Sequence, residues 1–228
     1  MSFYYDEYKG LATDFHDPDR VANYDAQQGT KIEEERQLVQ ELGIQSDSVV
    51  IEFGSGTGAF SRAASEVAKT VYSIDISKAM LAHSSKLAES AGITNIKFHN
   101  AGFLTYQHQG LLADFVVTKF AFHHLPDFWK AVALQRICTF MKPKGIFYLE
   151  DVIFSMEVSD SFKTIDDWIE IMVGSGSFSQ VDFEGHVRDE HSTFDWILDD
   201  MFYRTGYTII QKRVSAPTYA NYLARKRV

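Results

Sequence analysis

The run Val49-Val50-Ile51-Glu52-Phe53-Gly54-Ser55-Gly56-Thr57-Gly58 constrains the fold of this chain more than any other stretch. Apolar residues and one carboxylate read as a short buried strand, and three glycines then alternate with small polar residues. Glycine lets the backbone turn tightly and lets a ligand approach the main chain closely. Such a loop, at the carboxyl end of a buried strand and ahead of a helix, is a nucleotide-type cofactor loop.

The rest of the chain keeps the same rhythm. Strands are expected over 48–53, 70–75, 95–99, 113–118 and 145–150, with helices near 58–68, 77–91 and 127–141 between them. Strand 113–118 is uniformly apolar at its centre, as interior parallel strands are. Thr30-Lys31-Ile32-Glu33 has the form of a capping box opening a first helix that Gly43 ends. After Asp151 the alternation stops. Residues 152–190 hold one helix near 160–173 and the stretch Gly174-Ser175-Gly176-Ser177. Ser192-Thr193-Phe194-Asp195 then opens a further helix, and strands near 207–213 and 218–224 are joined by a turn at Ser215-Ala216-Pro217 too short for anything but an antiparallel hairpin. The expected fold class is α/β: a doubly wound, seven-stranded, mostly parallel Rossmann-like sheet with a C-terminal antiparallel hairpin and a lid insertion. Residues 1–228 are expected to form a single domain, with 1–29 as a lid-like N-terminal segment and 152–190 as an insertion over the cleft.

The net charge of −9 argues against a nucleic-acid partner, and Arg225-Lys226-Arg227 reads as a solvated end. Cys138 is the sole cysteine, so no intramolecular disulfide can form and a cytoplasmic location is expected. No stretch has the length of a membrane span, and the N-terminal residues lack a signal-peptide pattern.

Gly54 to Ala59 also satisfies the dinucleotide pattern G-x-G-x-x-G/A. Asp75, at the end of the second strand, suits either cofactor class, because a carboxylate there can bind ribose hydroxyls. Glu52 discriminates. It would repel a pyrophosphate laid over the loop, whereas S-adenosylmethionine carries an ammonium and a sulfonium and no phosphate. The alternative for Glu52 is a solvated strand end.

Glu52-x-Gly54-x-Gly56-x-Gly58 followed by Asp75 resembles the class I S-adenosylmethionine-dependent methyltransferases. The run from Ala113 to Asp127, with Phe122-His123-His124-Leu125, resembles that family's fourth-strand motif, and Met141-Lys142-Pro143-Lys144-Gly145-Ile146 its turn before strand five. The terminal hairpin is similar to its antiparallel last strands. The nearest subgroup is the small-molecule type that includes quinone-biosynthesis methyltransferases. The resemblance covers residues 30–151 and 192–228. It implies that Gly54, Ser55, Gly56 and Gly58 line the methionine part of the cofactor, with Glu52 toward its ammonium. It implies that Asp75 holds the ribose hydroxyls, Ile76 packs on the adenine, and the Lys119 backbone borders the methionine. Gly102-Phe103 stands where many relatives have Gly-Asp; Phe103 cannot bond the adenine amino group, so Asn100 is expected to substitute or Phe103 to stack on the ring.

Direct displacement at a sulfonium methyl needs alignment and exclusion of water more than covalent catalysis. Candidate proton acceptors lie at the ends of strands four and five: His124, and Glu150 or its neighbour Asp151, one of which faces the cleft because strand side chains alternate. The bland readings are a helix cap beside the cofactor for the His pair and a loop brace for the carboxylates. His186, Glu190 and His191, with Asp182, Glu184 and Asp189 nearby, match no standard ligand spacing and read as a polar surface loop, so no metal is expected. Phe3, Tyr4, Tyr5, Tyr8, Phe15 and Tyr24, with the stripe Phe162, Ile165, Trp168, Ile169 and Met172, are core packing first and acceptor pocket second.

The expected function is S-adenosylmethionine-dependent methyl transfer to a small molecule. The acidic charge, and Lys119-Phe120-Ala121-Phe122 in place of the amino-methyltransferase motif, argue against a nucleic-acid acceptor; a protein or RNA acceptor stays open. The rivals are an NAD(P)-dependent oxidoreductase on a similar sheet and a non-catalytic S-adenosylmethionine-binding module. Neither the acceptor nor the oligomeric state can be read from the residues.

Overall fold

Val49–Phe53 (β1) is buried at every residue, which places it at the centre of a sheet. The computed structural model describes residues 3–9, 21, 24, 30–174 and 179–228. Around β1, the chain sets helix α1 (Ile32–Leu42), α2 (Ala59–Ser65), β2 (Thr70–Asp75), α3 (Lys78–Ser90), β3 (Ile96–Asn100), β4 (Ala113–Lys119), α4 (Asp127–Phe140) and β5 (Met141–Phe154). Then come α5 (Ser161–Gly174), α6 (Gln180–Asp189), β6 (Thr193–Phe194), α7 (Asp195–Arg204), β7 (Tyr207–Ala216) and β8 (Tyr219–Lys226). The strands lie in the order β3-β2-β1-β4-β5-β8-β7, with β6 paired to the far end of β5. β1 pairs in parallel with β2 and β4, and β8 runs antiparallel to both β5 and β7. The order reverses between β1 and β4, so a crevice opens at their carboxyl ends.

Side chains alternate across β1 and fill two cores. Val49, Ile51 and Phe53 join Phe103, Tyr106, Leu134, Phe140 and Phe202 on one face. Val50 joins Val39, Phe60, Val71 and Val117 on the other. Glu52 shares the Val50 face, where its neighbour is α2. The expected sheet is present, with one two-residue strand more. Several local expectations change. The first helix starts from Lys31 without a side-chain cap, so Thr30 closes no capping box. β5 runs from Met141 to Phe154 because β4, β8 and β6 pair along different parts of it. Thr193 and Phe194 pair with β5 instead of opening a helix. Residues 180–189, expected to be a loop, form α6. Phe15, and Ser175 to Ser177 of the glycine-serine stretch, lie outside the described residues, as does the side chain of Asp182. No helix among the described residues is long and apolar enough to cross a membrane.

Candidate functional site

The glycine loop is shaped by three left-handed residues. Gly54, Gly56 and Gly58 have φ of 65°, 52° and 77°, a conformation that side chains rarely adopt. Gly54 runs against Ala121, and Gly58 against Ser84 of α3, where a Cβ would collide in each case. The space beside Gly56 is open. Asp75 fixes the loop: the Gly56 N–H donates to its Oδ2 at 2.8 Å and the Ser77 N–H to its Oδ1 at 2.7 Å. Burial raises the Asp75 pKa, against these hydrogen bonds. The Ile76 N–H also bonds this carboxylate, which keeps acceptor capacity for a further donor.

A cleft open to solvent lies over the loop. Of the residues singled out in the sequence, Tyr24, Gly54, Gly56, Asp75, Ile76, Gly102, Phe103, Lys119 and His124 line it. Glu52, Ser55 and Gly58 stand behind the lining. Ser55 accepts or donates a 2.8 Å hydroxyl bond with Ser73. Glu52 is 5% exposed and accepts a hydrogen bond from the Ser61 hydroxyl of α2. Burial pushes its pKa up to about 8, with Glu35 adding and Ser61 and Lys119 opposing. A folded-state pKa above the ordinary carboxylate value means that the folded chain binds this proton more tightly than the unfolded one. Stability from Glu52 is therefore lost as pH rises from the usual carboxylate range to about 8. Glu52→Gln is expected to flatten that part of the stability–pH curve, read by urea melts between pH 5 and 9; an unchanged slope would contradict it.

Lys119 at the end of β4 is paired with Glu35 of α1 at 2.6 Å and lies 4.0 Å from Glu150. Glu150 does not line the cleft but a second hollow, with Phe120, Ser215 and Tyr219. Its neighbour Asp151 is buried and accepts from the His123 backbone N–H at 3.0 Å and from the His123 ring. Neither strand-five carboxylate therefore lines the cofactor cleft. His124 does, and burial lowers its pKa to about 4, so the imidazole is neutral. His123 differs from its neighbour: burial pushes it down, but Asp151 and Glu190 on either side outweigh this and hold it at about 9.

Phe103 is 7% exposed and stacks on Phe53 at 5.0 Å. Asn100 donates to the carbonyls of Asp75 and Ile76, at 3.1 and 2.8 Å, and is spent on the loop. Sequence reasoning missed Glu7. Its carboxylate accepts from the N–H groups of Leu104 (3.1 Å) and Thr105 (2.8 Å) and lies against Gly102 in the cleft wall. Phe120 was also missed as a wall residue. It has φ 49°, a strained angle for a bulky residue, and lines both hollows. Tyr5 donates to the His124 carbonyl at 3.2 Å, so the aromatic N-terminal segment does border the cleft. Among the described residues of 152–190, none lines it.

Residues 44–172, more than half the chain, match the family model described as methyltransferase domain. The chain belongs to that methyltransferase family. By family, sheet order and glycine loop its class is that of the S-adenosylmethionine-dependent class I methyltransferases. An uncharacterized methyltransferase of Oceanobacillus iheyensis is 31% identical over 136 residues, 60% of this chain and 62% of that protein. The methyltransferase thus spans about three fifths of the length of the first curated relatives it matches. A putative methyltransferase from Bacillus halodurans superposes with a TM-score of 0.66 at 14% identity, covering 85% of this chain and 99% of that one. Magnesium protoporphyrin IX methyltransferase from Synechocystis, solved with bound S-adenosylmethionine, gives 0.59 at 14% identity over 97% of this chain and 88% of its own. These structures share the fold of this methyltransferase.

Proposed function

We propose that this protein transfers a methyl group from S-adenosylmethionine to a small-molecule acceptor by direct displacement. The carrying observation is the make-up of the cleft. Asp75 and Glu7 bring carboxyl groups to its wall, Glu52 stands behind the glycine floor and keeps its proton at pH 7 until a cation arrives, and Lys119, the one lysine among the described lining residues, is ion-paired to Glu35. Such a cradle suits a cationic ligand with hydroxyls and disfavours a pyrophosphate, which counts against the nicotinamide reading. The open side of Gly56 lets a ligand approach the backbone, and the acceptor capacity left on Asp75 fits hydroxyl donors.

In this reading Asp75 holds the ribose hydroxyls and Glu52 the ammonium. Ile76, Gly102 and Phe103 form the adenine slot. Gly54, Ser55, Gly56, Gly58 and the Lys119 backbone border the methionine. When bound, S-adenosylmethionine supplies the activated methyl group. The chain contributes alignment and dryness, with Tyr5 and Glu7 closing the N-terminal side and His124 orienting the acceptor. Glu150 has no place in this step. The small-molecule acceptor is supported by the −9 net charge and by the Synechocystis neighbour, a magnesium protoporphyrin IX methyltransferase. A single cytoplasmic domain agrees with the lone, buried Cys138.

Titration with S-adenosylhomocysteine tests the cofactor assignment. Saturable binding, with no effect of NAD(P)H on the melting temperature, is expected; no binding at millimolar ligand would end the proposal. The titration also carries a proton signature. The ligand's ammonium favours ionised Glu52, whose pKa stands near 8, so binding at pH 7 should release a proton. Calorimetry in two buffers of different ionisation enthalpy would show this, and Glu52→Gln should abolish it.

A further inference from the structure

The acceptor side of the molecule holds a cluster that the methyl-transfer reading does not use. Three side chains from two distant segments meet there: His123 after β4, and His186 and Glu190 at the end of α6 and just beyond it. One ligating atom from each lies within 4.8 Å of the others. His123 Nε2 is 3.1 Å from Glu190 Oε2, and His186 Nδ1 also touches that oxygen. The three side chains are 8%, 14% and 12% exposed.

Two features set this cluster apart from an ordinary ion network. First, the outer nitrogen of each imidazole is already engaged. His123 Nδ1 is held by Asp151, itself fixed by the His123 and Val152 N–H groups at 3.0 and 2.8 Å. His186 Nε2 is 3.0 Å from the Ser192 hydroxyl. These contacts aim the remaining lone pairs at one point, as outer carboxylate and hydroxyl partners do for metal-bound histidines. Second, Glu190 Oε2 is buried and has a ring nitrogen of each histidine as its near neighbour.

We propose that His123, His186 and Glu190 form a site for a divalent transition metal of the zinc class. Two imidazoles and one carboxylate are a set that zinc accepts, leaving a fourth position open. Ligands about 2.0 Å from a tetrahedral ion stand about 3.3 Å apart, which small side-chain rotations from the observed spread achieve. The ion pins α6 to the end of β4, next to His124 in the cleft wall. It thereby fastens the 152–190 insertion to the acceptor side. His191, grouped with these residues by sequence, lies apart: its ring packs edge-on against Tyr5.

The test uses the full-length protein, stripped with a chelator and dialysed. Calorimetric titration with Zn²⁺ should give one ion per chain, and Co²⁺ should give the intense visible absorption of a four-coordinate site. His186→Asn and Glu190→Gln should each weaken Zn²⁺ binding by a hundredfold or more. Asp151→Asn, which leaves the three ligands in place, should weaken it 10- to 100-fold. Absence of saturable Zn²⁺ binding by wild-type protein with an intact melting transition would overturn the proposal, leaving an imidazolium between two carboxylates as the state of the cluster. Unchanged affinity in both ligand variants would overturn it as well. These readouts are independent of methyl transfer and of S-adenosylhomocysteine binding.

Discussion

Asp75→Ala is expected to bind S-adenosylhomocysteine on the order of a hundredfold more weakly than the wild type. A hydrogen bond to a charged group contributes about 1.5–3 kcal/mol, so losing a pair of ribose hydroxyl contacts costs about 3 kcal/mol. A second loss adds to it. The variant also releases the Gly56 and Ser77 N–H groups, which Asp75 holds at 2.8 and 2.7 Å, and with them the shape of the loop. Asp75→Asn separates the two effects. Its amide keeps one acceptor oxygen, but its NH₂ must face one of two backbone donors, so its affinity should fall between those of wild type and Ala. Calorimetry gives the dissociation constants. Wild-type affinity in Asp75→Ala would remove this residue from the site.

Gly54→Ala should lower the melting temperature by about 5–15 °C and abolish cofactor binding. The left-handed conformation at φ 65° costs a non-glycine residue about 1–2 kcal/mol. The new methyl group also enters the space of the Ala121 Cβ, and overpacking of this kind costs about 1–3 kcal/mol. In a chain of this length each kcal/mol moves the transition by about 2–4 °C. Gly56→Ala is the control. Its φ of 52° carries a similar conformational penalty, but nothing stands within 4 Å of an added Cβ. It should melt only about 2–5 °C below wild type while still narrowing the cleft. Equal melting temperatures for the two variants would show that the contact with Ala121 does not limit the fold.

The donor half of the cleft was legible because its parts are local. The glycine loop, Asp75 and the end of β4 each follow a strand whose apolar run can be read directly, and the sheet aligns those strand ends without further instruction. Glu7 was not legible, since its partners Leu104 and Thr105 lie about a hundred positions away and no short-range period marks it. The α6 helix was hidden by its composition: Gln180–Asp189 is polar, with Gly185 at its centre. Once α6 was taken for a loop, His186 and Glu190 could not be brought to His123. Strand alternation implied that either Glu150 or Asp151 would face the cleft, and neither lines it. It could not tell that Asp151 would turn to His123 and that Glu150 would line a different hollow.

The matched family segment, residues 44–172, contains β1 to β5 and every cofactor-facing residue proposed here. Glu7, Tyr5, His186 and Glu190 fall outside it. The two halves of the cleft thus have different histories available to them. The sheet-borne half is tied to the core through β1 and can change little without unfolding the protein. The part supplied by the N-terminal segment rests on a few side-chain contacts at the rim. Substrate preference in such an architecture can drift by exchange of rim segments while the donor machinery is inherited intact.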